Sequence, residues 1–211
     1  MSGDLARRAS AAIQQIPVDR ISLFCASCAE LFFEGYAALL AEQAALEYQD
    51  DLPSSAFIRK TIDVCWAAGP SVDAEHLLHQ LLGIMPGEDT QPIFKTRLSD
   101  YLVEPWLVRV GLSSVSRPDF SWGLNASHAA IDFHFQMLQR RVETTGTGPA
   151  FEDDEFVREF ERDARAMGES AIQIEDAEEL CKQVPDHAAM RERSAAHGRR
   201  VLVEVQRLVS G

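Results

Sequence analysis

Residues 21–39 have the sequence Ile-Ser-Leu-Phe-Cys-Ala-Ser-Cys-Ala-Glu-Leu-Phe-Phe-Glu-Gly-Tyr-Ala-Ala-Leu. Their larger apolar and cysteine side chains recur every three or four positions, at Ile21, Phe24, Cys25, Cys28, Phe32, Tyr36 and Leu39. This is the period of one face of an α-helix. Ser27, Glu30 and Glu34 fall on the opposite side, so the stretch predicts an amphipathic helix packed on a core. Gly35 is expected to bend or split this helix.

The same apolar spacing recurs along most of the chain and predicts an all-α fold. Further helices are expected over 4–15, 98–110, 175–183 and 186–209, with a loop over 113–122. An acidic helix is expected to follow residue 150 and to end at Gly168. The only strand-like string, 201–205, also fits the apolar stripe of the last helix. The sequence therefore predicts a bundle of about eight or nine helices with little or no sheet.

The length of 211 residues fits a single domain. Threonine, glycine and proline are concentrated just before residue 150, which is typical of a turn or linker. We therefore expect a main helical bundle over 1–145, a linker-like turn over 146–150, and an acidic helix with C-terminal helices over 151–211 that pack on the bundle.

Negative charge is concentrated in the acidic block, residues 152–179. The block holds twelve acidic residues against three arginines, a net charge of −9 within a chain of formal charge −13. Such a field repels DNA, RNA and anionic membranes and attracts basic protein surfaces. The predicted partner is therefore a basic protein, and neither nucleic acid nor a membrane.

No segment resembles a secretory signal or a membrane span. The longest uncharged apolar run, 21–29, has nine residues, whereas a span needs about 20. The four cysteines, at 25, 28, 65 and 181, show no spacing typical of a disulfide framework. A reducing cytoplasm is the predicted compartment.

Recognisable catalytic motifs are absent from the sequence. It contains no nucleophile elbow, no P-loop and no dinucleotide-binding glycine pattern. Cys25 and Cys28 have redox-motif spacing but lie inside a predicted helix, where core packing is the simpler interpretation. The sequence therefore predicts a non-enzymatic protein without a cofactor.

Two groups of histidine and aspartate offer an alternative, a metal site between two helices. Helical metal sites use ligands three or four positions apart, and the candidates here are Asp73, His76 and His79 on one predicted helix and His128 and Asp132 on another. The competing interpretation is a first-turn aspartate with ordinary polar histidines. His134 is expected to point elsewhere, and His197 to be a core histidine.

The charged candidates for partner binding lie at the start of the acidic block: Asp153, Asp154, Glu155, Glu159 and Asp163. Phe156 and Trp122 are the candidate apolar anchors, because aromatic residues commonly supply the desolvated contacts of an interface. The competing interpretations are a solvated helix face for the acids and a cover over the end of the bundle for Trp122.

The segments 23–31 and 59–66, with Tyr36 between them, resemble the opening two helices of the uncharacterised YjaG-like bacterial proteins. The resemblance covers about the first third of the chain. It implies an all-helical bacterial cytosolic protein and transfers no catalytic residue. In general type, the chain is also similar to immunity proteins of polymorphic toxin systems, which are small, acidic and helical.

Taken together, these features favour a cytoplasmic bacterial immunity protein that covers the active site of a basic toxin domain. Two alternatives remain open. One is a helical metalloprotein or metallohydrolase that uses the five ligand candidates at 73, 76, 79, 128 and 132, and the other is a self-associating structural subunit. The sequence leaves the oligomeric state undetermined.

Overall fold

The computed structural model describes residues 2–45, 52–67, 72–84, 99–145 and 164–210. Over these ranges the chain forms eight α-helices and no strand. The helices are α1 (Ser2–Ile13), α2 (Ile21–Ala45), α3 (Ser55–Trp66), α4 (Val72–Ile84), α5 (Val103–Ser116), α6 (Phe120–Thr145), α7 (Ala164–Leu180) and α8 (His187–Ser210). The predicted all-α, single-domain bundle is confirmed.

Helix α2 is the centre of the bundle and packs against α3, α5, α6, α7 and α8. Ser27 and Glu30, which the spacing placed on an outer face, are buried, whereas Glu34 is exposed. The prediction was wrong for these two residues because neighbouring helices cover α2 on nearly every side. By length and composition alone, Val18–Glu42 could cross a membrane, but 72% of its most apolar window is buried inside the bundle.

Glycines set the closest helix contacts of α2. A Cβ atom on Gly198 of α8 would overlap the Leu31 carbonyl oxygen, so only glycine allows α8 to lie this close to α2. A Cβ atom on Gly35 would overlap the ring of Tyr101. Gly35 therefore does not split α2, as the sequence suggested, but provides space for the buried Tyr101 ring.

Several predicted helix boundaries differ from the structure: the helix expected over 98–110 is α5, Val103–Ser116, and the separate helix expected over 175–183 is part of α7. The loop expected over 113–122 shrinks to three residues, 117–119, between α5 and α6. Asp119 shortens it because its side chain accepts a hydrogen bond from the Ser121 backbone N–H at 2.7 Å, at the start of α6. Helix α7 also continues through Gly168, where the sequence predicted a stop.

The C-terminal helices pack on the N-terminal ones. Helix α7 contacts α1, α2 and α6, and α8 contacts α2 along much of its length. Arg20, before α2, donates hydrogen bonds to the carbonyl oxygens of Leu180 and Lys182 at 2.7 and 2.5 Å. The predicted turn at 146–150 lies outside the described residues.

Candidate functional site

The charged residues predicted to bind a partner, together with Phe156, lie at 153–163 and so outside the described residues. Trp122 is described and is half-buried at the start of α6. Its indole N–H donates a hydrogen bond to the Arg117 carbonyl oxygen at 3.0 Å. This contact is the one expected of a residue that covers the turn between α5 and α6.

The described part of the acidic block uses most of its charges within the fold. Asp176 is 1% exposed and accepts a hydrogen bond from Arg193 Nε at 3.0 Å. Arg193 also pairs with Glu175 at 3.0 Å. Glu179 accepts a hydrogen bond from the Asp186 backbone N–H at 3.0 Å. Most of the described acids of the block therefore contribute to contacts within the fold, and Glu175 and Glu178 are the exposed ones among them.

Burial raises the pKa of Asp176 to about 6, and the hydrogen bond from Arg193 opposes that rise. The carboxyl group is therefore ionised at neutral pH and pairs with the guanidinium. This pair links α7 to α8 across the interior of the bundle. Its role is to fasten these two helices, which leaves it unavailable to a partner protein.

The five residues proposed for the alternative metal site are not brought together. Asp73, His76 and His79 are exposed on α4, and His128 and Asp132 are exposed on α6. Among the described side chains, none of the five belongs to a set of three ligand atoms within 4.8 Å of one another. The placement gives no support to this metal site.

Another set of residues does converge, inside the bundle. His134 of α6, Glu169 of α7 and His197 of α8 bring one nitrogen or oxygen atom each within 4.8 Å of the other two. We call them the His–Glu–His cluster. The Glu169 Oε2 atom lies 4.0 Å from His134 Nε2 and 3.6 Å from His197 Nε2. The three residues are 2%, 1% and 7% exposed, so the cluster is shielded from solvent.

Hydrogen bonds hold only one side of the Glu169 carboxylate. Its Oε1 atom accepts a hydrogen bond from Gln173 Nε2 at 2.9 Å. Ser127 in turn donates from Oγ to Gln173 Oε1 at 2.6 Å, which fixes the amide. Glu169 Oε2, both ring nitrogens of His134 and Nε2 of His197 have no hydrogen-bonding partner among the described residues.

The surroundings favour an ionised carboxylate and a neutral imidazole in this cluster. Burial alone would raise the pKa of Glu169, but His134, followed by His197, brings that pKa below its ordinary value. Burial also lowers the pKa of His197, against the attraction of Glu169. At neutral pH Glu169 is therefore negatively charged, and His197 is predominantly uncharged.

Sequence reasoning missed the His–Glu–His cluster. His134 and His197 each lay in an apolar stripe, which is the one signal that a buried polar role was possible. The prediction that His134 points away from the face of His128 and Asp132 agrees with the structure, since those two residues are exposed and His134 is buried. Its ring meets that of His197 at a centroid distance of 6.4 Å. Glu169 gave no signal, since it was one acid among twelve in the acidic block.

Glu30 of α2 forms a second buried polar group, which we call the Glu30 cluster. Its carboxylate accepts hydrogen bonds from Arg59 at 2.8 Å and from the Trp66 indole N–H at 3.3 Å. Arg191 of α8 forms an ion pair with it at 3.0 Å. Arg59 also stacks on the Phe33 ring, 3.7 Å from its centroid. Both carboxylate oxygens of Glu30 therefore have cationic partners.

A third buried acid, Glu104 of α5, is fully buried and lacks a partner for either carboxyl oxygen among the described residues. Burial raises its pKa well above the usual range, and the nearby Glu30 adds to the rise. The surroundings of Glu104 therefore favour its protonated, uncharged form.

Comparison with known proteins identifies a similar fold and gives no indication of an activity. No family model matches the chain, and no curated protein matches it. The structure is similar to the crystal structure of a DUF416 family protein from Shewanella baltica, with a TM-score of 0.61 and 11% sequence identity. The alignment covers 94% of this chain and 93% of that one. At this identity the similarity shows a common fold alone.

Proposed function

We propose that this chain is an acidic, non-enzymatic binding protein that neutralises a basic protein partner in the bacterial cytoplasm. In its concrete form the proposal is an immunity protein that covers the active site of a cognate toxin domain. One observation carries it, the concentration of negative charge in the acidic block.

The contacts of the described acids leave only part of the acidic block available to a partner. Glu169 is buried and accepts a hydrogen bond from Gln173. Glu175 and Asp176 pair with Arg193 of α8. Residues 152–163 carry seven acidic residues against two arginines, a net charge of −5 in twelve positions. The proposed partner-binding residues are therefore Asp153, Asp154, Glu155, Glu159 and Asp163, with Phe156 and Trp122 as apolar anchors.

Such a segment acts on a partner in two ways. Its field draws a basic surface in from a distance and can raise the association rate constant to about 10⁸ M⁻¹s⁻¹ or more at low salt. Its carboxylates also occupy the positions that a toxin's anionic substrate would take, so bound toxin cannot reach that substrate. The aromatic residues supply the desolvated contacts that slow dissociation.

A charge-reversal experiment tests the proposal. The variant Asp153→Lys, Asp154→Lys, Glu159→Lys is compared with a control that reverses the exposed acids Glu75, Glu178 and Glu192 and so changes the net charge equally. The neighbouring reading frames of this chain's gene are searched for a basic polypeptide, which then serves as the partner. We expect the first variant to associate at least about tenfold more slowly and to lose most of its salt dependence. Equal behaviour of the two variants would contradict the site.

The two alternatives have less support. The metalloprotein built on Asp73, His76, His79, His128 and Asp132 requires side chains that the fold leaves apart. The self-associating subunit requires an exposed apolar face. Within the described ranges, the large exposed apolar residues each lie on a different segment: Val18, Leu82, Phe120, Val184 and Val203. Light scattering of a dilute solution tests this second alternative, and we expect a monomer.

A further inference from the structure

We propose that His134, Glu169 and His197 bind one divalent transition-metal cation of the zinc type, through Nε2, Oε2 and Nε2 respectively. The inference is independent of the proposed binding function and rests on the geometry of the His–Glu–His cluster. It assigns a metal site to residues different from those that sequence spacing suggested.

The ligand types match those that zinc-type cations prefer. Two imidazoles and one carboxylate form a recurrent protein ligand set for Zn²⁺ and for non-haem Fe²⁺. Three protein ligands leave room for a water molecule or another small ligand in the fourth position.

The distances within the cluster fit a shared cation better than direct hydrogen bonds. Two metal–ligand bonds of about 2.1 Å at a tetrahedral angle place their ligand atoms about 3.4 Å apart. The two nitrogen–oxygen separations are 3.6 and 4.0 Å. An N–H···O hydrogen bond requires about 3.2 Å or less. Both Glu169–histidine separations are therefore within about 0.6 Å of the spacing around a shared ion, and all three ligand atoms lie within 4.8 Å of one another.

The residues around Glu169 orient it as a ligand with one free oxygen. Gln173 donates to Oε1, and Ser127 fixes the amide of Gln173, so Oε2 is the oxygen that faces the two histidines. Metal-binding carboxylates are typically held by such outer hydrogen bonds, whose loss weakens metal affinity by about 10- to 100-fold.

One contact must change when the metal binds. Arg200 Nη2 lies 3.4 Å from His197 Nδ1, and Arg200 has no atom that can accept a proton from this nitrogen. Coordination through Nε2 requires Nδ1 to carry the ring proton, so Arg200 has to turn away. Its side chain is exposed and free to move into solvent. Arg200→Ala should therefore leave metal affinity unchanged or raise it.

The position of the site indicates a structural role for the bound ion. Each ligand comes from a different helix, α6, α7 or α8, so one cation would join all three. The ligands are almost completely buried, so exchange of the ion with solvent requires the helices to open. We expect a slowly exchanging ion whose removal lowers the melting temperature.

Metal binding is tested on the untagged full chain with Cys181→Ser, which removes an exposed thiol that could bind metal on its own. The metal-free protein is titrated with Zn²⁺ and with Co²⁺, and bound metal is counted by elemental analysis. We expect one ion per chain. Glu169→Gln and His197→Ala should each lower affinity by at least about 100-fold, because even supporting residues contribute 10- to 100-fold.

The matched control is His76→Ala with His79→Ala, which removes two exposed histidines of α4 and should retain one ion per chain. Failure of the Cys181→Ser chain with its three ligands intact to bind either metal at one equivalent would overturn the proposal, as would retention of metal by both ligand variants. If the variants fail to fold, X-ray absorption of the zinc-loaded chain decides. Two imidazoles with oxygen ligands are expected, and sulfur ligands would refute the assignment.

Discussion

The Glu30 cluster and the His–Glu–His cluster each contain a buried glutamate, but the partners of the two carboxylates differ. Glu30 is 5% exposed and Glu169 is 1% exposed. Arg59, Arg191 and Trp66 surround Glu30 within hydrogen-bonding or ion-pairing distance. Oε2 of Glu169 faces two histidines at distances too long for a hydrogen bond.

This difference separates a structural polar cluster from a candidate binding site. A buried carboxylate with cationic donors is already compensated and needs no ligand. A buried set in which four nitrogen and oxygen atoms lack partners is unusual in a folded protein and calls for an explanation. A bound cation accounts for three of the four, because it would coordinate Glu169 Oε2 and the Nε2 atoms of His134 and His197, and it leaves His134 Nδ1 without a partner among the described residues.

The largest effect is expected from Gly198→Val, which disturbs both clusters at once. The new side chain would overlap the Leu31 carbonyl oxygen, and α8 carries both Arg191 and His197. We expect a loss of about 3 kcal/mol or more in the free energy of unfolding, the upper range for an overpacked core. Urea denaturation followed by circular dichroism measures it.

The control for that variant is Gly83→Ala in α4, where a Cβ atom would meet nothing within 4 Å. Alanine should stabilise the helix by up to about 1 kcal/mol. Equal effects at the two glycines would show that the close approach of α8 to α2 has been misassigned.

A smaller effect is expected when the paired cluster alone is broken by Glu30→Gln. The change removes the charge that compensates Arg59 and Arg191, and hydrogen bonds to charged groups contribute about 1.5–3 kcal/mol. Both arginines are partly exposed, so water recovers some of the loss. Asp63→Asn breaks the half-exposed pair with Arg191 and should cost under about 1 kcal/mol. A larger loss of melting temperature for Asp63→Asn than for Glu30→Gln would contradict the assignment of Glu30 as the more stabilising partner of the arginines.

The variant Glu104→Gln extends the comparison to the third buried carboxyl group through the pH dependence of stability. Folding raises the pKa of Glu104, so the protonated carboxyl group contributes fully to the free energy of unfolding at a pH below its pKa in the unfolded chain. That contribution is lost as the pH rises toward its pKa in the folded chain. The wild-type chain should therefore lose stability relative to Glu104→Gln from pH 5 to pH 8, by at most about 1.4 kcal/mol per pH unit. Parallel pH profiles of the two proteins would show that Glu104 is not held protonated.

Local patterns in the sequence were enough to predict the bundle. The helical period places Met190, Ser194, His197, Val201 and Val205 on one face of α8, and all five are buried. Ile58, Ile62 and Cys65 share one face of α3 by the same period and are buried as well. Such predictions succeed because helical period and burial are coupled within a few turns of one helix.

The two clusters depend on which helices pack against one another, and the spacing of residues along the sequence does not predict those contacts. His134 and His197 are separated by 63 positions, and Glu169 lies between them in the chain. Charge counts also treat Glu169 and Asp176 like the surface acids, whereas the fold buries both. The sequence also does not predict the close approach of α2 and α8 at Gly198, since a glycine in a helix does not indicate which residue packs against it.

An anomalous diffraction map from crystals of the zinc-loaded chain, collected at the zinc edge, tests the central claim most directly. We expect a single strong peak about 2.1 Å from His134 Nε2, His197 Nε2 and Glu169 Oε2. The contradicting result is a map without that peak, in which the two imidazoles donate hydrogen bonds directly to Glu169.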